Sequence, residues 1–402
     1  MRIIKPFCAV RAKAKIEKEF STKSFEFYKK NEIHEILEIN PNSFFNIIKE
    51  NIFPEKEISQ NSRYLKVKNE YQKFKKLGLV VKDKIPGFYI QEISSGQDTF
   101  TGVVAAASIS NHKNGIIKKH EETLKSRELI FKNYLKIIRF NSDPVLLTYQ
   151  SWNMLSKLIE NVKKKPPTSS IDFNENETQK LWYVHNKSEI KEFSKEFNKI
   201  KSLYIADGHH RIASSKLLSE QENNMKAKYV MAFLIPENEL KIQEYNRILT
   251  NLNGISKEVL LDRLKEKFKV KAHKSFNACQ KKFGFFMYMN KQLYSLSLLK
   301  NQIKLPSLLY KLDAHILQEE ILKPILGIKN ITTNKIIYYS HRSDNMESIK
   351  TEVDKGNFTI GFGLKAVTVD QIKKIADANL SMPPKSTYIL PKLRNGLTIY
   401  EL

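Results

Sequence analysis

The sequence of 402 residues contains only two cysteines, Cys8 and Cys279. Two cysteines cannot form a disulfide framework, and by themselves they cannot complete a zinc site. The sequence also lacks a run of about 18 apolar residues, the length needed to span a membrane. The stretch Met1–Phe7 lacks the long apolar segment and the cleavage site of a signal peptide. These absences predict a cytoplasmic protein with no membrane-spanning segment.

Acidic residues are outnumbered, with 43 Asp and Glu against 68 Lys and Arg, and the net charge is +25. Such an excess is typical of proteins that bind nucleic acids. Here, however, the lysines are scattered along the chain, and basic runs such as Lys163–Lys165 and Lys281–Lys282 are short. No RNP-like, zinc-finger or helix-turn-helix pattern accompanies them. The distribution favours a solvated basic surface over a nucleic-acid interface.

The composition is that of a folded protein, because 41% of the residues are hydrophobic and 10% are aromatic. A chain of this length predicts two domains or one large α+β unit. The sequence pattern changes near residue 255, from which short paired strands and amphipathic helices follow. We therefore predict an N-terminal region over residues 1–255 and a C-terminal α+β region over residues 256–402.

A strand, a turn and a helix are predicted to follow one another within Leu203–Ser215. Leu203–Ala206 form a short buried strand, apolar apart from one tyrosine hydroxyl. Asp207–Gly208 favours a turn, because aspartate can cap the next helix and glycine tolerates tight backbone. The helix then begins with three side chains that can carry positive charge: His209, His210 and Arg211.

Positive side chains at this end of a helix are unfavourable, because the exposed backbone amides and the helix dipole already favour an anion. A bound phosphate would offset these charges, so the turn is a candidate phosphate or nucleotide site. The alternative interpretation is an ordinary surface helix that begins with two histidines by chance.

A second helix is predicted over Gly115–Arg139, with His120, Leu124 and Arg127 on one face and Glu121 beside them. The alternative is a solvated helix stabilised by pairs such as Glu121 with Lys125. Elsewhere, Tyr64–Leu77 is predicted to be a helix, because its apolar residues Leu65, Tyr71, Phe74 and Leu77 have helical spacing and Gly78 stands where a helix is expected to end. Lys163–Glu177 is predicted to be a loop. Strands at 88–90 and 101–107 are predicted to form a hairpin.

The C-terminal stretch Met382–Leu397 is predicted to be extended, because it contains several prolines. It collects hydroxyl and basic side chains without an evident packing role: Lys385, Ser386, Thr387, Lys392 and Arg394. Two interpretations remain open, a terminal segment that wraps the fold and a loop that faces a phosphate.

Four motifs in this order resemble the bacterial family named domain of unknown function 1015. They are Ile-Lys-Pro-Phe-x-Ala-Val-Arg at 4–11, His-Glu-x-Thr at 120–123, Tyr-Ile-Ala-Asp-Gly-His-His-Arg at 204–211, and Met-Pro-Pro-Lys-Ser-Thr at 382–387. The likeness runs from residue 3 to the C-terminus. One departure is that members carry a Pro-Tyr-Asp segment where this chain has Phe20–Phe25.

A more distant resemblance is to free serine kinases of the ParB/sulfiredoxin-like fold, which have a His-Glu pair, a proline-containing strand and an Asp-Gly-x-His-Arg turn in this order. This resemblance implies that Glu121, with His120 beside it, acts as base on the serine hydroxyl. It implies a phosphate site formed by Asp207, Gly208, His209, His210 and Arg211, with Asp207 also a candidate Mg²⁺ ligand. Weaker candidates for substrate or phosphate contact are Arg127, Lys385, Ser386 and Lys392.

These observations together predict an α+β protein with a ParB/sulfiredoxin-like nucleotide-binding core and an additional C-terminal α+β region. The predicted function is transfer of a phosphoryl group from ATP or ADP, with Mg²⁺, to a small hydroxylated metabolite, L-serine first. Glu121 is then expected to lie across a cleft from Arg211. One alternative is a non-catalytic nucleotide-sensing or DNA-associated ParB-like regulator. Another is a metal-dependent hydrolase using His120, Glu121, His209 and His210, although the spacing His-Glu-x-x-His is missing. The sequence gives no indication of oligomeric state.

Overall fold

The computed structural model describes residues 3–55, 57–274, 284–302, 308–331, 334–340 and 345–402. Cys279 and the basic pair Lys281–Lys282 lie outside these ranges. The chain divides into two compact units. The first unit comprises residues 1–118, 123–240 and 391–402, and the second comprises residues 119–122 and 241–390. Within the described ranges, no helix is long and apolar enough to cross a membrane.

The first unit contains both strands and helices, and they alternate mainly in its second half. Its strands are β1 (Ile4–Lys5), β2 (Val10–Ala12), β3 (Val80–Lys82), β4 (Phe88–Ser95), β5 (Asp98–Ser108), β6 (Ile117–Lys118), β7 (Phe140–Asn141), β8 (Val145–Tyr149), β9 (Ser169–Asn174), β10 (Glu177–Val184), β11 (Leu203–Asp207), β12 (Tyr229–Pro236) and, last in the chain, β21 (Tyr400–Glu401). Its helices are α1 (Glu17–Phe20), α2 (Lys30–Ile39), α3 (Phe44–Ile52), α4 (Gln60–Lys76), α5 (Ile109–Lys113), α6 (Lys125–Ile138), α7 (Asn153–Lys163), α8 (Lys187–Phe197) and α9 (His209–Gln221).

Among the described residues of this unit, the largest sheet has nine strands, in the order β6-β11-β8-β12-β5-β4-β10-β9, with β1 also paired to β5. The sheet is mixed, because β12 runs parallel to β8 but antiparallel to β5. Central strands such as β12 are apolar on both faces, as expected when both faces are covered. One core lies where α7 and α8 pack on the sheet, and another lies among α2, α3, α4 and α6.

The segment Lys163–Glu177 was predicted to be a loop, and that prediction is wrong. It contains β9, which pairs antiparallel with β10 at the edge of the sheet. The alternation of apolar and polar side chains that marks a strand was hard to recognise here, because only Ile171 of β9 is fully buried. The predicted hairpin of β4 and β5 is confirmed, with Gly96 at a φ of 59° in the turn.

The helix predicted over Tyr64–Leu77 is confirmed as α4, and Gly78 follows it with a φ of 65°. Only two of the four apolar residues that gave the helical spacing face the core. Tyr71 and Phe74 are buried, together with Tyr64 and Val67, whereas Leu65 and Leu77 are exposed. The helix packs its aromatic side chains inward and leaves these two leucines on its solvent side.

The second unit contains the remaining strands and helices of the chain. Its strands are β13 (Lys241–Gln243), β14 (Asn246–Leu249), β15 (Phe268–His273), β16 (Gly284–Met289), β17 (Gln292–Leu298), β18 (Ile337–Ser340), β19 (Ile360–Gly363) and β20 (Tyr388–Leu390). Its α-helices are α10 (Lys257–Lys267), α11 (Asp313–Leu317), α12 (Asn345–Asp354) and α13 (Val369–Asp377). An antiparallel sheet of six strands, counted over the described residues, has the order β15-β17-β16-β19-β14-β18. Short paired strands were predicted after residue 255, and β16 pairs antiparallel with β17. The chain is an α+β protein, as predicted, and the structure adds that its largest sheet is mixed.

The C-terminal strand of the first unit provides a pH-dependent contribution to its stability. The Glu401 carboxylate accepts hydrogen bonds from Lys75 and Lys82, at 2.6 and 2.7 Å, and from Tyr71 at 3.1 Å. Burial alone would raise the pKa of Glu401, but the two ammonium groups lower it to about 2. A lowered pKa in the folded state stabilises the fold above the pKa of the unfolded chain, and this stabilisation is lost as the pH falls.

We expect Glu401→Gln to lower the free energy of unfolding by about 1–2 kcal/mol at neutral pH, a value reduced by solvent screening of the half-exposed lysines. The difference from wild type is expected to shrink as the pH falls from about 4.5 towards 2. Urea denaturation across this range measures it, with the exposed Glu38→Gln on α2 as the control. If the difference in the free energy of unfolding between wild type and Glu401→Gln does not change with pH, the role assigned to Glu401 is contradicted.

Candidate functional site

The predicted strand, turn and helix at residues 203–215 are present in the first unit. β11 pairs antiparallel with β8 and parallel with β6, and its register with β8 shifts between Ile205 and Asp207. Such a bulge redirects the side chains that follow it. Gly208 then adopts a φ of 94°, a conformation that glycine reaches without strain, and α9 begins at His209. The turn therefore lies at the carboxyl end of a buried strand.

The expected capping role of Asp207 is wrong. The residue at the cap position of α9 is Gly208, which has no side chain to accept a hydrogen bond from the helix. The Asp207 carboxylate instead accepts a hydrogen bond from Nη2 of Arg211 at 3.2 Å. The bulge and the left-handed glycine place Asp207 one residue too early to serve as the cap. The first backbone N–H groups of an α-helix have no acceptor within the helix itself, so their partners come from outside it.

Arg211 is held on three sides by groups of its own unit. Its guanidinium contacts the carboxylate of Asp143 as well as that of Asp207, and Nη1 donates to the Pro144 carbonyl at 2.8 Å. A Cβ atom on Gly208 would lie only 2.9 Å from Nε of Arg211, so the guanidinium rests directly against the turn. Glycine at position 208 thus serves both the backbone conformation and this close approach.

Asp143, which directly precedes β8, also belongs to the turn. Because β8 runs antiparallel to β11, the residues just before β8 lie beside the end of β11. Burial raises the pKa of Asp143, while the nearby Arg211 lowers it. The sequence did not reveal this position of Asp143, because it depends on the pairing of β8 with β11, and the order of strands in the sheet was not predicted.

The charge at the turn is more balanced than the sequence suggested. Asp143 and Asp207 contribute negative charge next to Arg211, and Nζ of Lys392 lies 4.0 Å from Asp207. The carboxylates therefore already compensate part of the positive charge that was attributed to a bound anion. His209 is buried at 8% exposure, and His210 is half-buried at the first turn of the helix.

The His120–Glu121 segment belongs to the second unit, and its predicted helical conformation is wrong. The helix α6 begins only at Lys125. Glu121 forms an isolated parallel β-bridge with Met382, and the Met382 N–H donates to the His120 carbonyl at 2.8 Å. This pairing uses extended backbone, which a helix cannot provide. His120 is 1% exposed, and Glu121 is half-buried.

Arg127 does not share a helical face with His120, because only Arg127 lies on α6, where it is exposed. The carboxylate of Glu122 accepts from the Ser381 hydroxyl at 2.6 Å and from Lys119 at 3.1 Å. These hydrogen bonds lower the pKa of Glu122. Glu122 is thus occupied by its neighbours on the surface of the second unit.

The C-terminal basic segment divides into residues with packing roles and residues without one. Lys385 is exposed, whereas Ser386 is buried and donates its hydroxyl to the Pro383 carbonyl at 2.6 Å. Arg394 is buried and binds Glu177 through two hydrogen bonds of 2.6 and 2.9 Å. Arg394 therefore has the packing role that the sequence did not reveal.

The family model described as Protein of unknown function (DUF1015) matches residues 4–315. The chain belongs to this family. The predicted membership is thereby confirmed. The motif at residues 382–387 lies beyond the matched range. No curated protein matches the chain in sequence.

Three solved structures resemble the chain in fold at low sequence identity. A free serine kinase in complex with AMP is 14% identical, and the match covers 76% of this chain and 95% of that one, with a TM-score of 0.39. SbnI with a C-terminal truncation, from Staphylococcus aureus, is 11% identical over 73% of this chain and 87% of that one, with a TM-score of 0.41. A conserved hypothetical protein from Pyrococcus furiosus is 13% identical, and the match covers 75% of this chain and 98% of that one, with a TM-score of 0.37. No residue role in this chain follows from these similarities.

Proposed function

We propose that this protein is a small-molecule phosphotransferase with a ParB/sulfiredoxin-like nucleotide-binding core. In this proposal, a phosphoryl group passes from ATP or ADP to the hydroxyl of a small metabolite, with L-serine the first candidate. The observation that carries the proposal is the start of α9, which follows a buried strand and has a left-handed glycine at its cap position. Strand, glycine turn and helix start in this order form a common phosphate-binding arrangement.

The nucleotide phosphate is assigned to the backbone amides after Gly208, with His209 and His210 as side-chain donors. Arg211 contributes positive charge while it holds Asp143 and Asp207 at the turn. Lys392 supplies a second cation near Asp207. Phosphoryl transfer depends mainly on positioning and on stabilising charge on the transferred group, which these residues can provide.

The carboxylates of the turn suit a magnesium ion in chemical type. Mg²⁺ is commonly held by one or two carboxylates together with substrate phosphates. Asp207 would be the ligand, with Asp143 as its neighbour, and the ion would neutralise charge on the nucleotide phosphates. Arg211 keeps the two carboxylates in place for this role.

Glu121 is assigned as the general base. The acceptor hydroxyl oxygen forms a bond to the terminal phosphorus, and the bond from that phosphorus to the leaving phosphate oxygen breaks. The hydroxyl proton passes to the Glu121 carboxylate, and the leaving nucleotide keeps the electron pair of the broken bond. His120, next to Glu121 and buried, is assigned to orient this segment.

We expect His210→Ala to weaken the binding of ADP with Mg²⁺ by about 10-fold to 100-fold, because a hydrogen bond to a charged group is lost. Isothermal titration calorimetry on the full chain measures the effect. The control is His185→Ala, since His185 is an exposed histidine of the same unit that contacts the Tyr183 carbonyl.

If His210→Ala and His185→Ala bind ADP equally well, the α9 turn is not the phosphate site. If the wild type binds ADP but transfers no phosphoryl group to any hydroxyl compound, a nucleotide-sensing role replaces the enzymatic one. DNA binding that persists at physiological salt would favour the DNA-associated alternative, because non-specific binding weakens steeply with salt.

A further inference from the structure

Arg247 is a buried arginine in the second unit, on the strand β14 between β18 and β19. It is 2% exposed. Nη1 donates to the Tyr245 carbonyl at 2.6 Å, and Nη2 donates to the Lys385 carbonyl at 2.8 Å. Its guanidinium lies over two aromatic rings, 4.5 Å from the centre of Tyr339 and 5.5 Å from that of Tyr245. The side chain is therefore fixed in one orientation.

Arg247 differs from Arg394, the other buried arginine among the described residues, in having no carboxylate partner within ion-pair distance. Arg394 lies 2.6 Å from Glu177. For Arg247, no carboxylate of the described residues lies within the 4.0 Å of an ion pair, and its Nε–H donates to none of their acceptors. The hydrogen bonds that it makes are all to neutral carbonyl oxygens.

An arginine in this position remains charged at neutral pH. Burial lowers the pKa of Arg247 to about 10, and the nearby Tyr339, Tyr245 and Glu121 oppose this shift. A buried charge is costly unless it is compensated, and the faces of tyrosine rings compensate it only in part. The cluster therefore favours an additional anion.

The surroundings of Arg247 add a second positive charge. Lys385 is exposed and, although not a glycine, has a φ of 62°. Backbone strain of this kind persists where the surrounding structure holds it and is frequent at ligand sites. The carbonyl of Lys385 accepts a hydrogen bond from Arg247 and so helps to fix it. The ammonium group of Lys385 and the carboxylate of Glu121 both act on the pKa of Tyr339. Among the described residues, Arg247 and Lys385 thus contribute positive charge near Tyr339, and Glu121 contributes negative charge.

We propose that Arg247 binds a carboxylate group of the acceptor molecule, so that the enzyme selects hydroxy acids over neutral alcohols. The inference rests on the proposed function and adds to it the residue that recognises the acceptor. A planar guanidinium binds a carboxylate through two parallel hydrogen bonds. The charge of Glu121 is close enough to Arg247 to act on its pKa, so one small molecule can present its carboxylate to the arginine and its hydroxyl to the base.

The test compares ligands and variants in a binding experiment without turnover. The probes are L-serine and L-serinamide, which lacks the carboxylate, titrated by calorimetry in the presence of AMP, which carries no transferable terminal phosphate. We expect wild type to bind L-serine about 30-fold to 100-fold more tightly than L-serinamide. Arg247→Met is expected to lose this preference, and Arg247→Lys to keep part of it. The control is Arg263→Met, since Arg263 is an exposed arginine that also donates to a carbonyl, that of Ile325.

Equal binding of L-serine and L-serinamide by wild type would overturn the inference without any variant, so misfolding of Arg247→Met cannot obscure the result. Retention of the preference in a folded Arg247→Met would also overturn it. If L-serine does not bind, L-homoserine and D-glycerate are titrated with their amides, and failure of all three acids overturns the inference. Failure of the proposed function has a different readout, namely loss of ADP binding at the α9 turn or absence of phosphoryl transfer.

Discussion

Arg394→Met is expected to lower the free energy of unfolding by about 3–5 kcal/mol, because it leaves a buried carboxylate without its main partner. Arg394 and Glu177 are 7% and 8% exposed. Arg394 also donates to the Ser21 carbonyl at 3.3 Å and lies 3.5 Å over the ring of Phe173. Burial alone would raise the pKa of Glu177, but Arg394 and Lys23 hold it below its usual range. Without Arg394, the half-exposed Lys23 is the remaining cation beside Glu177.

Chemical denaturation of Arg394→Met and of Arg139→Met separates a buried from a more exposed ion pair. Arg139 contacts Glu222 at 2.7 Å, but the two side chains are 26% and 19% exposed. We expect Arg139→Met to cost about 1 kcal/mol or less. Adding Glu177→Leu to Arg394→Met is expected to recover about half of the lost stability, because the buried charge is removed. If Arg394→Met and Arg139→Met lose the same free energy of unfolding, burial of the Arg394–Glu177 pair does not increase its contribution to stability.

The turn at Asp207–Gly208 could be predicted from the sequence because its signals are local. A short apolar run, an Asp-Gly pair and a helical pattern follow one another within thirteen residues, and each has a direct conformational consequence. The hairpin of β4 and β5 was predictable for the same reason, since its turn joins strands that are adjacent in the sequence. In these cases local preference and tertiary structure agree.

The partners of these local elements could not be predicted, because they come from distant parts of the chain. Asp143 reaches Arg211 through the antiparallel pairing of β8 with β11, and Arg394 reaches Glu177 across 217 positions. The segment at His120–Glu121 has a plausible helical pattern, but pairing with Met382 holds it extended. Periodicity describes one segment at a time and carries no information about such pairings.

Glu121→Gln is expected to lower kcat for phosphoryl transfer by about 100-fold to 10,000-fold, the usual cost of losing a general base. Glutamine has nearly the same shape, so the backbone bridge to Met382 and the binding of ADP should persist. The measurement is steady-state phosphorylation of L-serine, combined with calorimetric titration of ADP and Mg²⁺ in the same variant. The expectation that Glu121 lies across a cleft from Arg211 stays a prediction, and this variant tests its chemical consequence.

The neighbouring Glu122→Gln provides a matched control for this experiment. It removes the same charge one residue away, from a carboxylate that Ser381 and Lys119 already occupy and whose side chain is 64% exposed. A general effect of lowering the negative charge in this segment would slow both variants alike, whereas loss of a base would slow only Glu121→Gln. A Glu121→Gln enzyme within a few-fold of Glu122→Gln would remove Glu121 from the reaction. Nucleotide binding at the α9 turn would survive that result, but assignment of the protein as a kinase that uses this base would not.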